Sequence, residues 1–256
     1  MKLSNRTILV TGGASGIGLA FAAEFIELGN EVIAVGRRRE ALEAAKARLP
    51  TLHILVADVS DLASVRGLAA TMAERFPKLD VLMNNAGIMR YHNLARPGDD
   101  LVGLTAEVDT NLTGLIRLTA ALMGQLTANH GAVINVGSGL GWVPLPASPI
   151  YCATKAAVHS YTISLRLQLR EAGVEVVELI PPATDTDFNR DLPPDANVKL
   201  ISVDTLVAQA LPGLLRGDPE INVGQAAQLH WMSRIAPRFI QGQLYTASKG
   251  LIPKEG

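Results

Sequence analysis

One cysteine, Cys152, stands in 256 residues. A lone cysteine cannot close an internal disulfide or build a thiolate metal cluster, and it suits a reducing compartment. Long apolar runs are also missing: Gly, Pro, Asn or a charge breaks each candidate before about 18 residues, so no spanning helix is expected. Neither sign of charge is in excess, because 23 Lys and Arg face 24 Asp and Glu for a formal net charge of −1. That balance argues against a basic face for nucleic acid or an anionic membrane and leaves a small molecule as the expected partner. The five histidines are scattered with no His-x-x-x-His pair, so no metal is expected. "MKLSNRTILVTGG" puts a strand and turn where a secretion signal needs a long apolar stretch, and a cytoplasmic location is expected.

What is present is a regular alternation. Short apolar, β-branched runs, "TILV" (7–10), "EVIAV" (31–35), "LHILVA" (52–57), "DVLMNN" (80–85), "AVINVG" (132–137), "VEVVELI" (174–180) and "INVG" (221–224), are separated by longer helical patterns. These patterns cover Leu19–Leu28, Arg39–Leu49, Asp61–Phe76, Leu101–Thr127, Pro149–Ala172 and Val203–Leu215. Strands that are apolar throughout belong in a sheet covered by helices on both faces. The sequence therefore predicts one α/β domain over 1–256: a doubly wound, mostly or wholly parallel seven-stranded sheet. The segment 184–200, "TDTDFNRDLPPDANVKL", is acidic, Pro-rich and weakly periodic, and is expected to be a flexible lid beyond the sixth strand.

Directly after the first strand comes "TGGASGIG". Gly12, Gly16 and Gly18 let the backbone turn sharply and approach a pyrophosphate at the positive end of the next helix. The second strand runs into "VIAVGRRRE", where no acid stands between Val32 and Arg39 to accept hydrogen bonds from an adenosine ribose. Arg37, with Arg38 beside it, suits a 2′-phosphate instead, so NADP(H) is favoured over NAD(H). The alternative is a solvated helix start. Asp58, after the third strand, suits either the adenine amino group or a helix cap.

Tyr151 and Lys155, in "YCATK", lie one helical turn apart on the same face. A free phenol, with a pKa near 10, exchanges protons poorly at pH 7. An adjacent ammonium, together with an oxidised nicotinamide, would pull that value toward the working range. A random Tyr-x-x-x-Lys would mean only a core tyrosine and a surface lysine, but this one has company. Ser138 ends the fifth strand, "NNAG" (84–87) ends the fourth, and Asn111 interrupts a helical pattern it does not favour.

In this order and over nearly its whole length, the chain resembles the short-chain dehydrogenase/reductase family. The resemblance implies a Rossmann domain and a catalytic tetrad of Asn111, Ser138, Tyr151 and Lys155. Tyr151 would be general acid in reduction and base in oxidation, Ser138 would orient the carbonyl, and Lys155 would bind the nicotinamide ribose and lower the tyrosine pKa. Asn111 would hold a water linking that lysine to solvent. Cofactor contacts are implied for Gly12, Ser15, Gly16, Ile17, Gly18, Arg37, Asp58, Val59, Asn85, Ala86, Gly87, Tyr151, Lys155, Pro181, Thr184 and Thr186. Homodimers or homotetramers are implied as well. "NNAGIMR", "SGLGWVPLPASPIYCATKAAVHSYT" and "PPATDTDF" further resemble oxidoreductases encoded beside genes for D-alanylation of teichoic acids, a gene neighbourhood that names no substrate.

Two positions depart from the family pattern. Pro181-Pro182 replaces Pro-Gly after the sixth strand, removing an amide donor, and Gly137 stands where a second serine is frequent. Leu140, Trp142, Val143, Pro144, Pro182 and Phe188 are expected to form an apolar cleft for a small uncharged carbonyl or alcohol. Trp142 suits a core or interface position equally, His159 is expected to pack rather than react, and Cys152 to be a small buried residue. The activity expected is NADP-dependent interconversion of a carbonyl and an alcohol. The alternatives are a catalytically weak NAD(P)-binding regulator and an NAD-preferring dehydrogenase.

Overall fold

The computed structural model describes residues 1–96, 98, 100–189 and 199–253. Seven strands form one sheet: β1 (Thr7–Thr11), β2 (Glu31–Gly36), β3 (His53–Val56), β4 (Leu79–Asn84), β5 (Ala132–Val136), β6 (Glu175–Ile180) and β7 (Glu220–Asn222). Their order is β3-β2-β1-β4-β5-β6-β7 and every pairing is parallel. This is the Rossmann arrangement, reversing direction between β1 and β4, where the carboxyl ends of the strands open a crevice.

The helices follow from the apolar spacing. α1 (Gly16–Glu27), α2 (Arg39–Arg48) and α8 (Val203–Arg216) cover one face, and α3 (Leu62–Arg75), α6 (Leu115–Ala128) and α7 (Pro149–Gln168) the other. Alternate strand residues serve the two faces: Ile8 and Val10 of β1 pack with Phe21, Phe25 and Leu206, while Leu9 packs with Met72, Leu82 and Leu118. Asp61 caps α3, accepting from the amides of Ala63 and Ser64. Pro149 opens α7 in the first turn, where its missing N–H costs nothing.

The helix expected over Leu101–Thr127 is broken. Two short turns, α4 (Leu101–Leu104) and α5 (Ala106–Val108), lead into a π-helical segment, Asp109–Gly114, before α6 begins. Asp, Thr and Asn are poor helix formers, and the wider turn centres on Asn111. Behind it, Asn84 donates to Thr119 Oγ1 and Asn135 Oδ1, each at 2.9 Å, and Asn135 donates to Thr162 Oγ1 at 2.9 Å. This buried polar ladder ties β4 and β5 to α6 and α7.

After β7 come two helices that apolar spacing did not reveal, α9 (Gln225–Ile235) and α10 (Pro237–Ser248). The excursion after β6 is clamped at its base: Thr184 bridges Ile201, and Asp185 N–H donates to the Ile201 carbonyl at 2.8 Å. Of the lid expected at 184–200, residues 190–198 lie outside the described residues. Among the described residues no helix is long and apolar enough to cross a membrane.

Candidate active site

A continuous cleft of about 780 Å³ runs along the carboxyl ends of β1, β2, β4, β5 and β6, within the size range of ligand sites. The glycine turn forms its floor. A Cβ at Gly18 would collide with the Gly12 carbonyl and lie 2.5 Å from Asn85 Nδ2, so only glycine lets α1 start this close to the end of β4. Asn85 fixes that approach, donating through Nδ2 to the carbonyls of Thr11 (2.9 Å) and Gly12 (3.3 Å). Thr11 Oγ1 accepts from the amides of Asn85 and Ala86. Ser15 at the N-cap of α1 makes no side-chain cap, so the first amides of that helix keep their capacity for an anion.

Ser15, Gly16, Ile17, Arg37, Asp58, Val59, Asn85, Ala86, Gly87, Pro181, Thr184 and Thr186 all line the cleft with Gly12. Gly18 is buried behind it. Where β2 and β3 open into the cleft, Arg37 Nη1 lies 3.7 Å from Asp58 Oδ2, both side chains partly exposed. Asp58 does not cap α3: its Oδ1 accepts from the amide and hydroxyl of Ser60. Burial, the largest single influence, raises its pKa, but the Ser60 bonds and Arg37 together hold the carboxyl below the usual range.

Deeper in the cleft, Ser138, Tyr151 and Lys155 converge. The Tyr151 and Ser138 hydroxyls share a hydrogen bond. Lys155 Nζ donates to the Val136 carbonyl at 2.7 Å and sits 5.7 Å from the Tyr151 ring centroid. Both side chains are buried. Burial pushes the phenol above its ordinary range; the bond to Ser138 opposes this, and Cys152 and Glu107 reinforce it. Burial also lowers the Lys155 ammonium from 10.5 to about 8, with Glu178 acting in the opposite direction. In the chain alone, then, desolvation outweighs the lowering of the tyrosine that the Tyr-x-x-x-Lys spacing predicts.

Asn111 stands behind the cleft wall rather than in it. Its Oδ1 accepts from Ile88 N–H, while Nδ2 donates to the Ile88 carbonyl and to Thr154 Oγ1. The side chain is thus spent on fixing the loop that follows "NNAG" and the helix that carries Tyr151. At the outer end, Phe188 packs over Tyr151 with ring centroids 5.7 Å apart. Among the described residues no cluster of His, Cys, Asp or Glu could hold a metal ion.

A family model described as short chain dehydrogenase matches residues 6–197. The chain belongs to that family. It is an oxidoreductase of CH–OH and C=O groups. It is 39% identical to "Uncharacterized oxidoreductase DltE" of Bacillus subtilis over 86% of this chain and 89% of that protein. It is 35% identical to the NADP-dependent 3-hydroxy acid dehydrogenase YdfG of Escherichia coli, over 68% and 71%. Among solved structures, a short-chain dehydrogenase of Burkholderia cenocepacia in complex with NADP superposes with a TM-score of 0.83 at 27% identity, over 95% of this chain and 99% of that one.

This short-chain dehydrogenase also shows what the sequence concealed. Leu140, Pro182 and Phe188 line the cleft as expected, but Trp142 is packed between His159 (4.1 Å) and His230 (4.4 Å), Val143 is buried and Pro144 faces solvent. The missing wall comes from α9 and α10, through Leu229, Met232, Phe239, Ile240 and Leu244. Gly137 also has its reason: a Cβ there would collide with Glu178 Oε1. The signal for Glu178 was available, since a charged residue inside a strand expected to be covered on both faces asks for a partner.

Proposed function

We propose that this short-chain dehydrogenase is an NADP-dependent oxidoreductase that interconverts a ketone or aldehyde and its alcohol, with Tyr151 as general acid and base. One observation carries this: the Tyr151 hydroxyl is bonded to Ser138 and stands beside the Lys155 ammonium, in the same cleft that holds the glycine turn. The residues fit a dinucleotide. The uncapped start of α1 suits the pyrophosphate, Arg37 the 2′-phosphate, and Lys155 the nicotinamide ribose. NADP, when bound, supplies the hydride and its acceptor.

The chain supplies position and protons. Ser138 holds the substrate oxygen against Tyr151, whose hydroxyl donates its proton to that oxygen in reduction. In oxidation the phenolate takes the proton back, stabilised by the Lys155 charge. Asn111 acts by fixing Ile88 and Thr154, and a water held at Asn111 links Lys155 to solvent. The substrate is small and uncharged, because apolar residues of α9 and α10 wall its end of the cleft. Dimers or tetramers are the assemblies we expect, by family analogy.

The test is consumption of NADPH over a panel of ketones and aldehydes, repeated with Tyr151→Phe. Removal of the proton donor is expected to lower kcat by about a hundredfold or more with little change in NADPH affinity. Turnover retained in the variant would reject Tyr151 as the acid.

A further inference from the structure

β6 is buried from its second residue onward, yet its fourth residue is Glu178, which is 1% exposed. A carboxylate in such a place is costly unless paired and hydrogen-bonded. His159 Nδ1 lies 2.6 Å from Glu178 Oε2, and the edge of Trp142 backs the imidazole. The second oxygen, Oε1, fills the space that a side chain at Gly137 would need. The residue before Gly137 is Val136, whose carbonyl accepts from Lys155 Nζ. Carboxylate and ammonium thus meet two successive residues at the end of β5. Lys155 and His159, four apart on α7, reach down to them from one helix face.

We propose that Glu178, held by His159, is a positioning residue whose carboxylate is the counter-charge that keeps the Lys155 side chain an ammonium bonded to Val136. The proposal rests on the proton-transfer role given above to Tyr151 and Lys155. Burial drives Lys155 toward the neutral amine, and Glu178 opposes that drift. Other charges face the carboxylate too. Burial raises the Glu178 pKa on balance; the hydrogen bond and charge of His159 oppose this, Glu220, its register partner on β7, adds to it, and Arg166 from α7 opposes it. Arg166 is itself committed to the carbonyls of Val176 and Pro219. A neutral Lys155 could no longer stabilise the Tyr151 phenolate, so loss of the counter-charge moves the alkaline limit of activity downward.

The experiment compares wild type, Glu178→Gln and Glu178→Asp as full-length chains. Two measurements are made: the pH profile of kcat/KM with NADPH and the best carbonyl of the panel, and the Lys155 13Cε NMR titration without substrate. In Glu178→Gln both the alkaline limb and the NMR midpoint are expected to fall by about one to two pH units, the effect of one charge over roughly 6–12 Å at an effective dielectric constant near 20. Glu178→Asp keeps the charge and is expected to restore both. Coincident wild-type and Glu178→Gln titrations would overturn the proposal, as would an Asp variant shifted as far as the Gln variant. If Glu178→Gln does not fold, wild type decides: the Glu178 carboxyl carbon must respond as Lys155 titrates, and a flat response overturns the proposal. A protein inactive on every carbonyl but showing the NMR shift would reject the reaction alone. An active protein without the shift would reject the counter-charge alone.

Discussion

Lys155→Met separates the chemistry of the ammonium from the cost of burying it. The wild-type side chain is 6% exposed, and burial lowers its pKa from 10.5 to about 8. In the unfolded chain the amine holds its proton until about pH 10.5, whereas the folded chain releases it near pH 8. Between those values the unfolded state binds more protons, so wild-type stability must rise with pH. Below pH 8 the fold bears the whole cost of a desolvated cation; above pH 10.5 that cost is gone. At 1.36 kcal/mol per unit, the fall is worth about 3 kcal/mol. Methionine fills a similar volume and carries no proton. The stability of wild type relative to Lys155→Met is therefore expected to improve by about 3 kcal/mol between pH 7 and pH 11, and losing the bond to Val136 adds only a nearly constant offset. Urea denaturation of both proteins at unit pH intervals measures the difference, and groups that titrate alike in both cancel. A difference that stays flat, or that moves toward the variant as pH rises, would refute the buried-ammonium account.

Arg37→Ala is expected to weaken NADPH binding about 10- to 100-fold, the worth of one charge-assisted phosphate contact, and NADH binding by less than about threefold. Equal losses in fluorescence titrations with the two nucleotides would remove Arg37 from the 2′-phosphate. Gly18→Ala forces a Cβ onto the Gly12 carbonyl. It is expected to cost about 1–3 kcal/mol in urea denaturation and to raise the NADPH dissociation constant at least about tenfold; a variant as stable and as tight-binding as wild type would contradict the close approach.

The strands were legible because a sheet covered on both faces needs apolar residues at every position, and all seven fall within a residue or two of the runs that predict them. The tetrad was legible as residue types in order, since Tyr151 and Lys155 need only one helical turn between them. Three things were hidden. Nothing in apolar spacing marks a π-helical turn, although Asp109, Thr110 and Asn111 are weak helix formers gathered where it occurs. The wall supplied by α9 and α10 faces a ligand cleft on one side and solvent on the other, so Trp231, Ile235 and Phe239 are exposed and the two-sided contrast of an ordinary amphipathic helix is blurred. The link between Gly137 and Glu178 joins residues 41 apart, which no local pattern can reveal. It turns a departure from the family pattern into a consequence of packing.

No short stretch of the chain makes the nucleotide groove. Asn85 closes the turn at Thr11 and Gly12 from more than 70 residues downstream, and Thr186 comes against Gly16 only after β6 has been added. On a ribosome extending at about 5–20 residues per second, the turn therefore waits several seconds for the strand that completes it, and longer for Tyr151. A nascent chain that ends inside α6 has the glycine turn, Asn85 and Asn111 but lacks Ser138, Tyr151 and Lys155. The glycine turn and the residue that closes it are thus synthesised before any of the three side chains that converge deeper in the cleft.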